Sequence, residues 1–95
     1  MTTNVIITFT VKPEKISDFV NILNSVKIDL PSVEGCNGIH IFSDSKNNNV
    51  FTLVENWDSE DAHKKHIAGV VESGNWDTIS SHLEKDPESS YFNEL

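Results

Sequence analysis

Phe51-Thr-Leu-Val-Glu-Asn-Trp-Asp-Ser-Glu-Asp-Ala-His-Lys-Lys-His66 reads as a strand, a tight turn and the first turns of a helix. Val50, Phe51, Leu53 and Val54 supply the β-branched and aromatic density of a strand. Ser59 offers an N-cap hydroxyl, and Glu60 and Asp61 put negative charge where the helix dipole favours it. Trp57 falls at the strand end, and His63 and His66 lie three residues apart, on one helix face.

Working outward, Asn4 to Val11 alternates, with Val5, Ile7, Phe9 and Val11 on one face and Ile6, Thr8 and Thr10 on the other. Pro13 suits a helix start, and Ile16, Phe19, Val20, Leu23 and Val26 recur at helical spacing. Asp29 to Gly35 reads as a loop, and Cys36 to Ser43 as a strand with Ile39 and Ile41 opposite His40 and Phe42. The run Asn47-Asn48-Asn49 makes Asp44 to Asn49 a hairpin turn. Beyond the quoted stretch, the second helix is expected from about Ser59 to Ala68. Gly69 to Gly74 reads as less regular, a further helix holds Trp76, Ile79 and Leu83, and Ser90 to Leu95 forms a short last strand.

The order β-α-β-β-α-β over residues 1–95 predicts one α+β domain of the ferredoxin-like, split βαβ type, with a four-stranded antiparallel sheet and helices on one face. Each of the first three strands carries apolar residues on both faces: Phe9 opposite Ile6, Ile41 opposite Phe42, Leu53 opposite Val54. Two helices cover one face only, and a second copy packed sheet on sheet would cover the other, so a homodimer is expected.

Composition narrows the function. Fifteen acidic against seven basic residues give a net charge of -8, which repels nucleic-acid backbones and anionic membranes. No apolar run approaches the roughly 20 residues of a membrane span, and no signal peptide precedes the first strand, which predicts a cytoplasmic protein. The single cysteine, Cys36, has no partner for an internal disulfide and reads either as a reactive thiol or as a small buried hydrophobe.

Several of these segments are similar to the antibiotic biosynthesis monooxygenase family. They are Phe9-Thr-Val-Lys-Pro13, Glu34-Gly-Cys36, Leu53-Val-Glu-Asn-Trp-Asp-Ser-Glu-Asp-Ala62 followed by His66, and the closing Tyr91-Phe-Asn-Glu94. The resemblance covers nearly the whole chain and implies a dimeric α/β barrel with a pocket between sheet and helices in each subunit. The family includes oxygenases of quinols and anthrones that use neither metal nor flavin, haem degraders, an isomerase of a phosphorylated sugar, and proteins of unknown activity. By position it implies that Trp57, His63 and His66 line or approach the pocket. A tyrosine can hold the place of His63 in the cofactor-free oxygenases. The family's Ser-Pro-His-Phe segment appears here as Ser73-Gly-Asn-Trp76, so Asn75 stands where a histidine is often found. The strand-one asparagine of the haem degraders is replaced by the region Ile6-Ile-Thr8, which argues against haem.

Read as chemistry, His63 and His66 have the pKa, about 6.5, of general bases at neutral pH. As an H-x-x-H metal pair they would need a third ligand that no nearby signature supplies, so no metal is expected. As structural residues, one would pack in the core and one stand in water. Trp57 and Trp76 suit either the core or the walls of an aromatic-binding pocket. Glu55 shares the face of Trp57 and reads as a partly buried carboxylate near the pocket, Asn75 as a hydrogen-bonding group, and His40 as facing the sheet interior or the dimer.

The expectation is therefore a cofactor-independent monooxygenase acting with dioxygen on a quinol-like or polycyclic phenolic molecule. In it His66 is the base, His63 a proton-transfer or orienting group, and Trp57, Trp76, Asn75, Glu55 and His40 candidate substrate contacts. A non-catalytic module binding a small hydrophobic ligand, and an isomerase of a small metabolite, are the alternatives.

Overall fold

Alternation along each strand decides which side chains meet the helices. In the computed structural model, which describes residues 2–95, β1 (Thr3–Thr10) pairs antiparallel with β3 (Val50–Trp57) so that Val5, Ile7 and Phe9 lie opposite Glu55, Leu53 and Phe51. Strand β2 (Cys36–Ser43) adds Ile39 and Ile41 to the same face, and β4 (Glu88–Phe92) adds Ser89 and Tyr91. The four strands run in the order β2-β3-β1-β4, the ferredoxin-like arrangement read from the sequence.

Helix α1 (Ile16–Asp29) follows a short turn opened by Pro13 and buries Phe19 and Leu23 against that face. Phe9 and Phe19 meet edge to face at 5.4 Å, an arrangement aromatic quadrupoles favour. Helix α2 (Glu60–Glu72) and the short α3 (Asn75–Ser80) complete the layer. One buried cluster gathers Phe9, Val11, Phe19, Leu23, Phe51, Leu53 and Leu83, and a second gathers Val5, Leu30 and Trp57.

Several boundaries differ from the sequence reading. Helix α2 runs through Gly69 to Glu72, because a single helical glycine costs only about 1 kcal/mol while Val70 still packs inward. It stops at Ser73, whose N–H reaches back to the Gly69 carbonyl at 3.0 Å, and Gly74 follows at φ 84°. Leu83 lies beyond α3 and bridges Val11, the residue expected to end β1. Strand β4 starts at Glu88, two residues before the expected Ser90, and ends at Phe92, because its pairing with β1 spans Thr8–Glu88 to Asn4–Phe92.

The other sheet face is more mixed than the sequence reading supposed. Ile6, Val54, Phe42 and Phe92 share it with Thr8 and Thr52, whose hydroxyls pair at 3.0 Å, and with Asn4 and Asn56, also paired at 3.0 Å.

Gly35 fixes how the turn before β2 seats on α2. Its φ is 90°, and a Cβ there would come within 2.9 Å of the Ala62 Cβ. Gly35→Ala should therefore destabilise the protein by roughly 1–3 kcal/mol. Gly69→Ala, in a helix with open space around the new methyl, should stabilise it by about 0.5–1 kcal/mol. Urea denaturation of both variants checks the pair, and equal effects would contradict the account.

Candidate active site

Strand β3 ends at Trp57, and a two-residue turn leads straight into α2. The Ser59 hydroxyl accepts from the Ala62 N–H at 3.1 Å and caps the helix, which fixes the phase of everything that follows. That phase turns His63 and His66 toward the sheet, directly over the indole. His63 meets Trp57 edge to face at 5.4 Å, and His66 lies tilted over it at 5.1 Å. Trp57 itself has no exposure, and its Nε1 donates to Glu55 Oε1 at 2.9 Å. Across the sheet, the Tyr91 hydroxyl lies 2.8 Å from Nδ1 of His63.

A cavity of about 680 Å³ opens between the sheet and the three helices. Phe19, Leu23, Leu53, Trp76 and Ile79 are among its apolar walls, and Glu55, His63, His66 and Tyr91 concentrate polar atoms toward one side. A separate hollow of about 630 Å³, edged by Glu34, Ser59, Lys65 and Ser73, lies beside α2. His66, Val70 and Asn75 border both spaces. His66 thus stands between an apolar chamber and a more polar one.

Burial sets the charge state of these groups. The Glu55 carboxyl is pushed up by loss of solvent, an effect partly offset by the Trp57 N–H. His63 is pushed below the ordinary imidazole value by burial and then by the neighbouring His66, and His66 is lowered by burial. The Tyr91 phenol is raised by burial and by the carboxylates of Glu60 and Asp61. Near neutral pH the cavity therefore presents neutral imidazoles beside a neutral phenol. Such a set can accept and donate protons without carrying a fixed cation. Among the described residues no group of three or more His, Cys, Asp or Glu side chains is arranged to hold a metal ion.

Of the residues singled out in the sequence, His63, His66, Trp76, Asn75 and Glu55 line the one cavity. Trp57 lies underneath, fully buried, and meets the cavity through the lining residues it touches, Glu55, His63 and His66. His40 is not brought to the cavity. Because Ile39 and Ile41 take the helix face of β2, His40 projects from the opposite face, where it stacks on Phe42 at 6.4 Å. Tyr91 was not singled out as a site residue. Its alternation with Ser89 and Phe92 was the available signal, and starting the last strand at Ser90 separated Tyr91 from Ser89, the residue that shares its face.

The lowered His63 pKa has a thermodynamic consequence. The unfolded chain takes up this proton near pH 6.5, whereas the native protein holds out to lower pH, so stability falls as the solution is acidified through that window. His63→Gln removes the titration. The stability difference between wild type and variant should shift toward the variant as pH falls from about 8 to about 5, measured by urea denaturation. A pH-independent difference would mean that His63 titrates alike in both states.

Comparison with known proteins agrees with this architecture. The structure superimposes on a conserved protein from Methanosarcina mazei Go1 with a TM-score of 0.86 and 24% identity, covering 100% of this chain and 94% of that one. A crystal structure of an antibiotic biosynthesis monooxygenase gives a TM-score of 0.86 at 20% identity, covering 98% of each chain. SnoaB, a cofactor-independent oxygenase from Streptomyces nogalater solved as a mutant, gives 0.81 at 13% identity, covering 98% of this chain and 92% of that one. At these identities the likeness establishes the fold alone. No curated protein matches the sequence. The sequence profile of the antibiotic biosynthesis monooxygenases does match, over residues 2–69, and on that ground the chain belongs to the antibiotic biosynthesis monooxygenase family.

Proposed function

We propose that the protein is a cofactor-independent monooxygenase acting on an electron-rich, quinol-like or polycyclic phenolic molecule. The observation that carries this reading is the apolar cavity of about 680 Å³ with two neutral imidazoles at its polar side. A flat aromatic fits between Trp76 and the walls formed by Phe19 and Leu53. His66 takes a proton from the substrate, and the resulting carbanion or phenolate passes an electron to dioxygen and then bonds to it. The peroxide accepts a proton and loses water, which leaves a carbonyl where an activated CH₂ stood. Removing solvent from the cavity strengthens each of these polar contacts. The hollow on the other side of His66 gives the abstracted proton a way back to water.

SnoaB, a cofactor-independent oxygenase of the same fold, supports the reading by analogy. The apolar walls weigh against an isomerase of a small polar metabolite, the reaction another member of the family carries out. A binding module without catalysis would use the same cavity, and turnover separates the two.

The second part of the proposal is a homodimer. Ile6 and Val54 stay partly open on the helix-free face, and Phe42 and Phe92 are 57% and 49% exposed. A second copy related by a two-fold axis would cover them.

Oxygen uptake by the metal-free protein with a panel of hydroquinones and anthrones tests the activity. His66→Ala should lower kcat by roughly 10²–10⁴-fold. The acid limb of kcat/KM should fall below about pH 6.5, because the free imidazole of His66 is held below its ordinary value. Binding of an aromatic without uptake would instead favour the binding module. Light scattering at micromolar concentration should give twice the chain mass, and Val54→Asp should reduce it to the single chain. A wild-type monomer would remove the dimer.

A further inference from the structure

The two histidines differ in what already holds them. His63 is 8% exposed, and its ring is pinned edge-on between Trp57 and Tyr91, each 5.4 Å away, at 66° and 82°. Nδ1 is taken by the Tyr91 hydroxyl at 2.8 Å. Among the described residues nothing in the protein bonds Nε2, although the ring lines the cavity and no buried nitrogen or oxygen is left sealed without a partner. Nε2 is therefore the His63 nitrogen open to a bound molecule. His66 has neither ring nitrogen engaged by the described residues, and its ring lies tilted over Trp57.

A neutral imidazole carries one N–H, and the partner of one nitrogen decides where it sits. Between Tyr91 and Nδ1 there are two possible arrangements. In one the phenol O–H donates to Nδ1; in the other Nδ1–H donates to the phenol oxygen. A phenol is a strong donor and a poor acceptor, because its lone pair is drawn into the ring, whereas an imidazole sp² nitrogen is a strong acceptor. The first arrangement wins. It leaves the proton on Nε2, pointing at the occupant of the cavity.

We propose that Tyr91 is a positioning residue that locks His63 in its Nε2–H tautomer, so that His63 donates a hydrogen bond to an oxygen of the bound molecule while His66 alone keeps a free lone pair. The class of ligand this pair suits carries a carbonyl or phenolic oxygen next to the proton to be removed, as a 1,3-dicarbonyl or an anthrone-like ketone does. His66 takes the proton, and the negative charge that develops on the oxygen is met by the His63 N–H. The charged and titratable groups facing this pair are Glu60, Asp61 and Lys64 on α2 and Glu55 on β3. The Lys64 ammonium lies 5.8 Å from the Tyr91 ring centroid, and burial, followed by the two helix carboxylates, raises the phenol. The role of the donor rests on the oxygenase reading above; the tautomer does not.

Two-bond ¹H–¹⁵N correlation spectra of the ¹⁵N-labelled protein, at a pH near 7.5 where both rings are neutral, read the tautomer directly. Wild-type His63, assigned through His63→Gln, should show a protonated Nε2 and an unprotonated Nδ1. Tyr91→Phe keeps the ring and loses only the hydroxyl, so the two His63 nitrogens should move toward the average of both tautomers while His66 stays as it was. A wild-type proton on Nδ1, or a Tyr91→Phe pattern identical to wild type, overturns the proposal. With a substrate found by oxygen uptake, His63→Gln, which still offers an N–H but no base, should retain about tenfold more kcat than His63→Ala. Equal loss in both overturns the donor role. If nothing is turned over while the tautomers behave as expected, the oxygenase reading is at fault and the Tyr91–His63 assignment stands.

Discussion

The indole of Trp57 has no contact with solvent, yet it carries one N–H that must be satisfied in the interior. Glu55, two residues earlier on the same face of β3, accepts it at 2.9 Å. That bond ties the end of the strand to its own interior and fixes the indole under the two histidines. Gly35 keeps the loop before β2 clear of the same ring, since a Cβ added there would lie 3.6 Å from it. The strand end, the loop and α2 thus share one buried anchor, and the polar side of the cavity is built on top of it.

Much of this could be read from the chain. The strand, the capped turn and the His63–His66 spacing are local features, set by period-two and helical patterns and by the Ser59 hydroxyl, so they survive without knowledge of tertiary contacts. The same holds for the faces of β1 and β2, where alternation is clear. Other features depend on pairing partners far away in sequence. The start of β4 is fixed by where Glu88 meets Thr8, eighty residues apart in the chain. With that register unknown, the hydrogen bond between Tyr91 and His63 was out of reach. The continuation of α2 past Gly69 was hidden for another reason: local propensity disfavours it, and packing of Val70 overrides the propensity.

His40 illustrates the limit of reading chemistry from residue type. Its imidazole has the same intrinsic properties as those of His63 and His66. The difference is entirely geometric. One residue of register along β2 separates the cavity side from the face where His40 stacks on Phe42, and a shift of one position would exchange the two. In the same way Trp57 and Trp76 look equivalent in sequence, but one is sealed beneath the histidines while the other lines the cavity.

The proposed reaction would generate an anion inside a protein of net charge -8, which raises an electrostatic question. Exposed carboxylates more than roughly 8–10 Å away contribute little, because salt screens their fields, whereas the nearer Glu60 and Asp61 help raise the Tyr91 phenol. A carboxylate lining the cavity would matter far more, since nothing screens it there. Glu55 is that group, and burial drives it toward its protonated form. The indole N–H works against this by stabilising the carboxylate, yet desolvation is the larger influence. The same desolvation keeps His63 and His66 uncharged. A single physical cause, exclusion of water by apolar walls, therefore pushes the Glu55 carboxyl up and both imidazoles down, each toward its uncharged form. The raised carboxyl and the neutral imidazoles that the proposed base chemistry requires are two consequences of one packing arrangement.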